Sequence, residues 1–354
     1  MKKITRNILT GAILYITLLF AGCGNKWEIS NPYETVDLAN HGRYKANLHT
    51  HTTRSDGRLN PHTVVDIYHS LGYNILAITD HNEVTYPWTD FSSMNVSNTS
   101  LTRMANDPES MPENFIYENR DPQELGMVAI QSNELSRHHH IGSFFNDHNG
   151  TIEVQESLDA LVEKNGISMM YHPGRYDFDL DWYLGFYDKY DHLVGMEIYN
   201  QGDRYPNDRN LWDNVLSKTM PHRAVWGYSN DDMHSASHIG RNWNVFYLPE
   251  LSTDWLRRGM TEGLFTWVYA PNGHDGALPA EIHSVQVKPN KGTISISTSG
   301  YDSIHWISAG EIIHRGNTIK LNQLENDPIY VRAVLFGKDE TVVGTQPFGT
   351  KRSN

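Results

Sequence analysis

The 354-residue chain has a single cysteine, Cys23, so no intrachain disulfide can form and stability must come from a packed core. It lacks any uncharged apolar run as long as the roughly 20 residues that cross a bilayer core; the stretch Ile8 to Phe20 falls short. Basic residues are scarce: 29 Lys and Arg stand against 42 Asp and Glu, a formal net charge of −13 with no basic cluster. Such a surface repels a polyanion, so a nucleic-acid scaffold is excluded and no nucleic-acid partner is expected. Internal repeats and low-complexity segments are also missing. What is present is ordinary globular material, 38% hydrophobic and 20% charged, enough for one large domain and a small one.

The N-terminus is set apart from the fold. Lys2, Lys3 and Arg6 precede the apolar run Ile8 to Phe20, the layout of a secretory signal peptide. Ala21-Gly22 then lead to Cys23, which resembles a bacterial lipobox with Phe20 where Leu is usual. The reading is a signal peptide over 1–22, lipidation of Cys23 and a polar tether over 23–40. The protein is then exported and lipid-anchored to a bacterial membrane, in the periplasm or at the cell surface.

From His41 to about residue 272 short apolar runs alternate with amphipathic stretches, as in successive β/α units. Tyr44, Ala46 and Leu48 alternate with polar residues and mark a strand. Asn60-Pro61 starts a helix, Val64, Val65, Ile67, Tyr68 and Leu71 give it a buried stripe, and Gly72 ends it. Ile75 to Thr79 follows as a buried strand, and the unit recurs with a helix over Glu156 to Asn165 and a strand over Ile167 to Tyr171. Strands are also expected over Val194 to Tyr199 and Ala224 to Tyr228. The segment Glu83 to Gln123 is too long for an ordinary βα connection and reads as a lid or substrate loop. Residues 280–354 hold short alternating strands with Gly, Asn and Asp turns, expected to form a small all-β, sandwich-like domain.

The chemistry-bearing residues fall in phase with this pattern. His49 and His51 share one face of a strand, since residues i and i+2 point the same way. Asp56 follows in Ser55-Asp56-Gly57, then Asp80-His81, Glu134, the run His138-His139-His140, His172-Pro173 and Asp231-Asp232-Met233-His234. Each group lies at or just beyond a strand's C-terminal end, and in a parallel barrel those ends meet on one rim. Imidazoles with carboxylates suit Zn, Mn or Fe, and a carboxylate can bridge two such ions.

This order of motifs resembles the PHP (polymerase and histidinol phosphatase) superfamily over roughly residues 41 to 270. The resemblance implies an α/β fold, a distorted (β/α)7 barrel, and hydrolysis of phosphoesters by water activated at three divalent metal ions. It implies that His49, His51, Glu134 and Asp232 hold one metal and that Glu134 bridges to a second held by His140 and His172. Asp56, His81 and His234 hold the third. His140 is preferred over His138 and His139 because Ile141-Gly142 follows it, and Asp232 over Asp231 because it gives the D-x-H spacing. Arg175 is a candidate phosphate clamp and, with His234, a candidate catalytic residue; Arg54 and Arg137 are weaker candidates for substrate contact, and Glu197 is read as a residue behind the ligands or a substrate contact, not as a ligand.

Three other readings share some of these features. The amidohydrolase barrel also begins with His-x-His, but it bridges its metals with a carboxylated lysine, and no strand-end lysine here has suitable neighbours. A PHP-like carboxyl or carbamate esterase would use the same ligands. A surface binding protein with a vestigial barrel would not need all nine.

Overall fold

The computed structural model describes residues 26–107, 112 and 114–353; the expected signal peptide and Cys23 lie outside the described residues. The chain runs through β1 (Trp27–Ser30), β2 (Gly42–Asn47), α1 (Pro61–Ser70), β3 (Ile75–Ala77), α2 (Asn98–Asn106) and α3 (Pro122–Leu125). Then come β4 (Val128–Ile130), β5 (Ser132–Leu135), β6 (Ile141–Phe144), α4 (Val154–Glu163), β7 (Ile167–Met170) and α5 (Leu180–Lys189). The barrel part ends with β8 (Leu193–Asn200), α6 (Asn207–Thr219), β9 (Trp226–Asn230), β10 (Asn242–Leu248), α7 (Thr253–Glu262) and β11 (Phe265–Tyr269).

Proline at the first turn and a buried stripe of Val64, Val65 and Tyr68 make α1 the expected helix. Asn60 holds the N-cap position, but its amide serves the insertion instead, donating to Asn114 O at 3.1 Å. All eight residues of β8 are buried, as befits a strand covered on both faces.

Strands β2, β3 and β4 are parallel, and so are β7, β8 and β9; β5 and β6 join the two sets through antiparallel pairs. Parallel bridges His81↔Glu134 and Thr50↔Met233 link the two sheets. The result is a distorted barrel, with β4 and β5 acting as one bent strand around Gln131. One bridge joins two chemistry-bearing residues and the other lies between His49 and His51 on one side and Asp232 and His234 on the other, so the seams of the barrel and the candidate rim coincide.

The insertion is more than a loop. Trp88 and Phe91 are fully buried in the main core, while α2 reaches over the barrel rim.

The C-terminal region differs most from expectation. It comprises β12 (Glu281–Lys288), β13 (Thr293–Ser299), β14 (Ser303–Ser308), β15 (Glu311–Arg315), β16 (Thr318–Lys320), β17 (Tyr330–Phe336), β18 (Val342–Gly344) and β19 (Phe348–Arg352). Only β12, β13 and β16 form a sheet of their own; β18 pairs with β11, so one sheet runs β1-β19-β17-β18-β11-β10-β2-β3-β4. Residues 27–30, expected within a tether, pair with β19. Gly344 permits the junction, because a Cβ there would lie 1.8 Å from the Trp267 ring.

Polar contacts lock the same junction. Arg332 makes a two-pronged contact with Asp213 of α6 (Nε to Oδ1 3.0 Å, Nη2 to Oδ2 2.6 Å), and Tyr330 donates its hydroxyl to the same carboxylate at 2.7 Å. The Gln346 amide pairs with both the N–H and the C=O of Gly227, continuing β9 as a strand would. These groups are buried and mutually satisfied, the condition under which burying them is tolerated.

Candidate metal centre

The loop after β2 is built to present His49, His51 and Asp56. The His51 N–H donates to Met233 O at 2.8 Å and the Thr79 N–H to Thr50 O at 2.8 Å, extending the barrel ladder past β2 and β3. Beneath it the buried Asp80 carboxylate accepts from the Thr52 N–H (2.7 Å) and from the hydroxyls of Thr52, Ser55 and Thr85 (2.7, 2.6 and 2.6 Å). Asp80 is therefore a fastener for the loop, while its neighbour His81 faces the cluster. Gly57 closes the turn where a Cβ would lie 2.4 Å from His51 O.

Glu134, on β5, sits at the centre of the cluster. Its Oε1 lies 3.4 Å from His49 Nε2, 2.8 Å from His140 Nδ1 and 3.3 Å from His172 Nε2. Its Oε2 lies 3.3 Å from His51 Nε2 and 2.8 Å from His81 Nδ1. On one side Asp232 Oδ1 is 3.2 Å from both His49 Nε2 and His51 Nε2. On the other, Asp56 Oδ1 is 3.2 Å from His234 Nε2 and 3.5 Å from His81 Nε2. All nine residues expected as ligands are thus together in overlapping sets. His81 stands between two of them, one ring nitrogen toward Glu134 and the other toward Asp56.

Of these contacts His172 Nε2 to Glu134 Oε1 is a hydrogen bond, but most of the converging atoms have none. Among the described residues His49 Nε2, His51 Nε2, His81 Nδ1, His140 Nδ1 and Glu134 Oε2 are buried without a hydrogen-bond partner. Five orphaned polar atoms at one point would be costly unless something else satisfied them. Lone pairs converging from nitrogen and oxygen fit divalent cations, and the donor set suits Zn, Mn or Fe. The local field agrees. Burial acts to raise the Glu134 carboxyl, but His140, His81 and His49 overcome it and hold the group well below the usual range. Burial acts to lower His81, but Glu134 and Asp56 push it up to about 10. Three carboxylates here call for positive charge. His172 (φ 28°) and Asp232 (φ 44°) adopt left-handed backbone to reach the cluster, a local strain of the kind concentrated at functional sites.

A second layer orients the first. Glu197 Oε1 accepts from His49 Nδ1 at 2.8 Å, and its Oε2 accepts from the His172 N–H at 2.8 Å. Asn230 and Asn200 donate to the same carboxylate at 2.9 Å each. Tyr171 stacks on His49 with centroids 3.6 Å apart. Asp231 points away and caps the turn ahead of β10, accepting from the N–H groups of Gly240, Arg241 and Asn242 at 2.9 to 3.0 Å. His138 bonds Ser157 and His139 bonds Tyr183, which leaves His140 as the member of that run at the cluster.

A cavity of about 770 Å³ opens onto the centre. Arg175 lines it, with its backbone N–H tied to His172 O at 3.0 Å. Three weaker sequence candidates do not line it. Arg54 is spent on Asn95 O and Glu83, and Arg137 on Gly150 O at 2.8 Å. Of the two roles expected for Glu197, its full burial behind His49 fits the supporting one and not substrate contact. Four lining residues had no sequence signal strong enough to select them: Arg58, Arg103, Arg204 and His238. The nearest hint was the position of Arg58, two residues after Asp56.

No family model matches the chain, and no curated protein matches it in sequence. Solved structures do resemble it. A two-domain protein from Bacteroides vulgatus, containing a predicted PHP-like metal-dependent phosphoesterase, superposes with a TM-score of 0.50 at 15% identity, over 90% of this chain and 97% of that one. PsfC from Pseudomonas syringae matches at 0.38 and 15% identity, over 63% of this chain and 88% of that one. The lesion-specific endonuclease PfuEndoQ from Pyrococcus furiosus matches at 0.40 and 14% identity, over 62% and 56%. The first likeness extends over nearly the whole of both chains and shows a PHP-like fold with a C-terminal β region.

Proposed function

We propose that the protein is a metal-dependent phosphoesterase acting on a small phosphomonoester or phosphodiester, with three divalent cations drawn from Mn, Fe and Zn. The observation that carries this reading is the Glu134 carboxylate, approached by five imidazole nitrogens at 2.8 to 3.4 Å, with most of the atoms involved orphaned of hydrogen bonds. His49, His51 and Asp232 would hold one ion, His140 and His172 the second, and Asp56, His81 and His234 the third, with Glu134 shared between the first two. Bound there, such ions supply Lewis acidity, an acidified water and compensation of phosphoryl charge.

The chain's own residues do the rest. Glu134 contributes the negative charge that lets cations sit close together. Glu197 keeps the proton on His49 Nδ1, leaving Nε2 as the ligand atom. Arg175, whose guanidinium is a planar double donor, orients the phosphoryl oxygens at the cavity wall. His234, also on that wall, is assigned with Arg175 to the contact with the reacting ester. Export and lipidation at Cys23 remain part of the proposal and rest on the N-terminal sequence.

The test is metal analysis of the purified protein, followed by a screen of phosphomonoesters, phosphodiesters and carboxyl esters on metal-loaded enzyme. Turnover of phosphoesters with bound transition metal supports the reading. Turnover confined to carboxyl esters would move it to another ester class.

A further inference from the structure

Four arginines, Arg58, Arg103, Arg175 and Arg204, line the cavity of a chain whose net charge is −13. The carboxylates lining it are Asp56, Asp107, Glu134 and Asp232, and three of these belong to the cluster. Cations bound there would more than cancel those three, so the loaded cavity is strongly positive in an otherwise acidic protein. That is more positive charge than one phosphoryl group needs.

The excess is also spread out. Arg175 stands beside His172, at one end of the cluster. At the other end the Arg58 N–H donates to His234 O at 2.9 Å, joining the loop after Asp56 to the segment 234–238. Arg58, Ser235, Ser237 and His238 line the cavity there. The Ser235 and Ser237 hydroxyls hydrogen-bond each other at 3.0 Å, which uses one of their two protons and leaves the other for an acceptor in the cavity.

His238 has a fixed tautomer. Gln201 Nε2 donates to Asp232 O at 3.0 Å, and Gln201 Oε1 accepts from Arg204 Nη1 at 3.0 Å, so the amide has only one orientation. Gln201 Nε2 then donates to His238 Nδ1 at 3.1 Å, and the His234 N–H donates to the same nitrogen at 3.2 Å. With Nδ1 accepting twice, the proton of the neutral ring must sit on Nε2. The rim thus offers one guanidinium, one spare hydroxyl of the Ser235–Ser237 pair and one imidazole N–H, a set of donors suited to an anion.

We propose that this rim is a second anion subsite, and that the substrate carries a further phosphate or carboxylate besides the ester group that meets the cluster. The proposal rests on the phosphoesterase reading, but binding tests it separately. The substrates are alkanediol bisphosphates of increasing chain length, each compared with its monophosphate on metal-loaded protein. At the best spacing kcat/KM should favour the bisphosphate by at least about tenfold. Arg58→Gln should collapse that ratio. His238→Asn keeps an acceptor where Nδ1 stood but loses the Nε2 donor, so it should also lower the ratio, whereas His238→Gln restores a donor and should recover it. Equal turnover of both substrate types at every length would overturn the subsite and leave the phosphoesterase reading intact. If neither type is cleaved, calorimetry with the matching bisphosphonates and monophosphonates decides. Tighter bisphosphonate binding that is lost in Arg58→Gln sustains the subsite without the chemistry, and equal binding overturns it.

Discussion

His49 Nδ1 donates to Glu197 Oε1 at 2.8 Å, and the same carboxylate takes the His172 N–H at 2.8 Å. One buried side chain thereby sets the ring of one candidate ligand and the backbone of another, across two strands of the barrel. Glu197→Gln keeps the shape but lets the amide present either a donor or an acceptor to His49. The expected result is a loss of about 10- to 100-fold in metal affinity or activity, with the fold intact. Metal titration monitored alongside circular dichroism checks it; unchanged affinity would show that Glu197 does not position His49.

The junction between barrel and C-terminal strands predicts a stability effect far from the cavity. Arg332→Met leaves the Asp213 carboxylate buried without its cation, a change that costs about 3 to 5 kcal/mol in comparable sites. A chain ending near Asn272 would lose β18 from the edge of β11 as well, and should be insoluble or unfolded. Denaturant unfolding of the variant and solubility of the truncation are the measurements. A folded, metal-binding truncation would contradict the shared sheet.

A pH effect on stability is expected from Asp208. The residue is buried; one oxygen accepts from the Gly174 N–H, and the other has no hydrogen-bond partner among the described residues. Burial pushes its carboxyl up to about 8, against a Gly174 contact that pulls it down. The folded state therefore holds this proton more tightly than the unfolded chain does. The resulting stability is fully present below about pH 4, the ordinary aspartate range, and is lost as pH rises toward 8. Asp208→Asn should gain in Tm relative to wild type between pH 5 and 9, read by thermal scans at several pH values. A constant Tm difference across that range would contradict it.

Localisation is testable at one atom. Cys23→Ser should move the protein from the membrane fraction to the soluble one, because the sulfur that would carry the lipid is gone. Unchanged partitioning would exclude lipidation there.

The candidate ligands were legible because metal chemistry restricts residue type, and their spacing kept phase with strands that apolar runs announced. The chain's other choices were less exposed to sequence reasoning. Asn242 and Asn244 of β10 are buried polar residues whose amides bond across to β9 and its neighbours, so the strand's inward face reads as polar. The pairing of β1 with β19 joins residues more than 300 positions apart, and neither short segment declares its partner. Glu197 and Arg175 both follow the pattern of a functional residue at a strand end; only burial separates the one that orients a ligand from the one that faces the cavity. The tautomer of His238 depends on three contacts that meet only in the folded chain.

The most direct test of the central claim is metal content and phosphoesterase rate measured together on wild type and Glu134→Gln. Gln keeps a carbonyl oxygen but removes the charge that allows neighbouring cations to share one carboxylate. The account predicts reduced metal occupancy and a rate loss of at least about 100-fold, roughly 2.7 kcal/mol of transition-state stabilisation. Full metal content with normal activity in Glu134→Gln, or a wild-type protein that binds no transition metal, would contradict it.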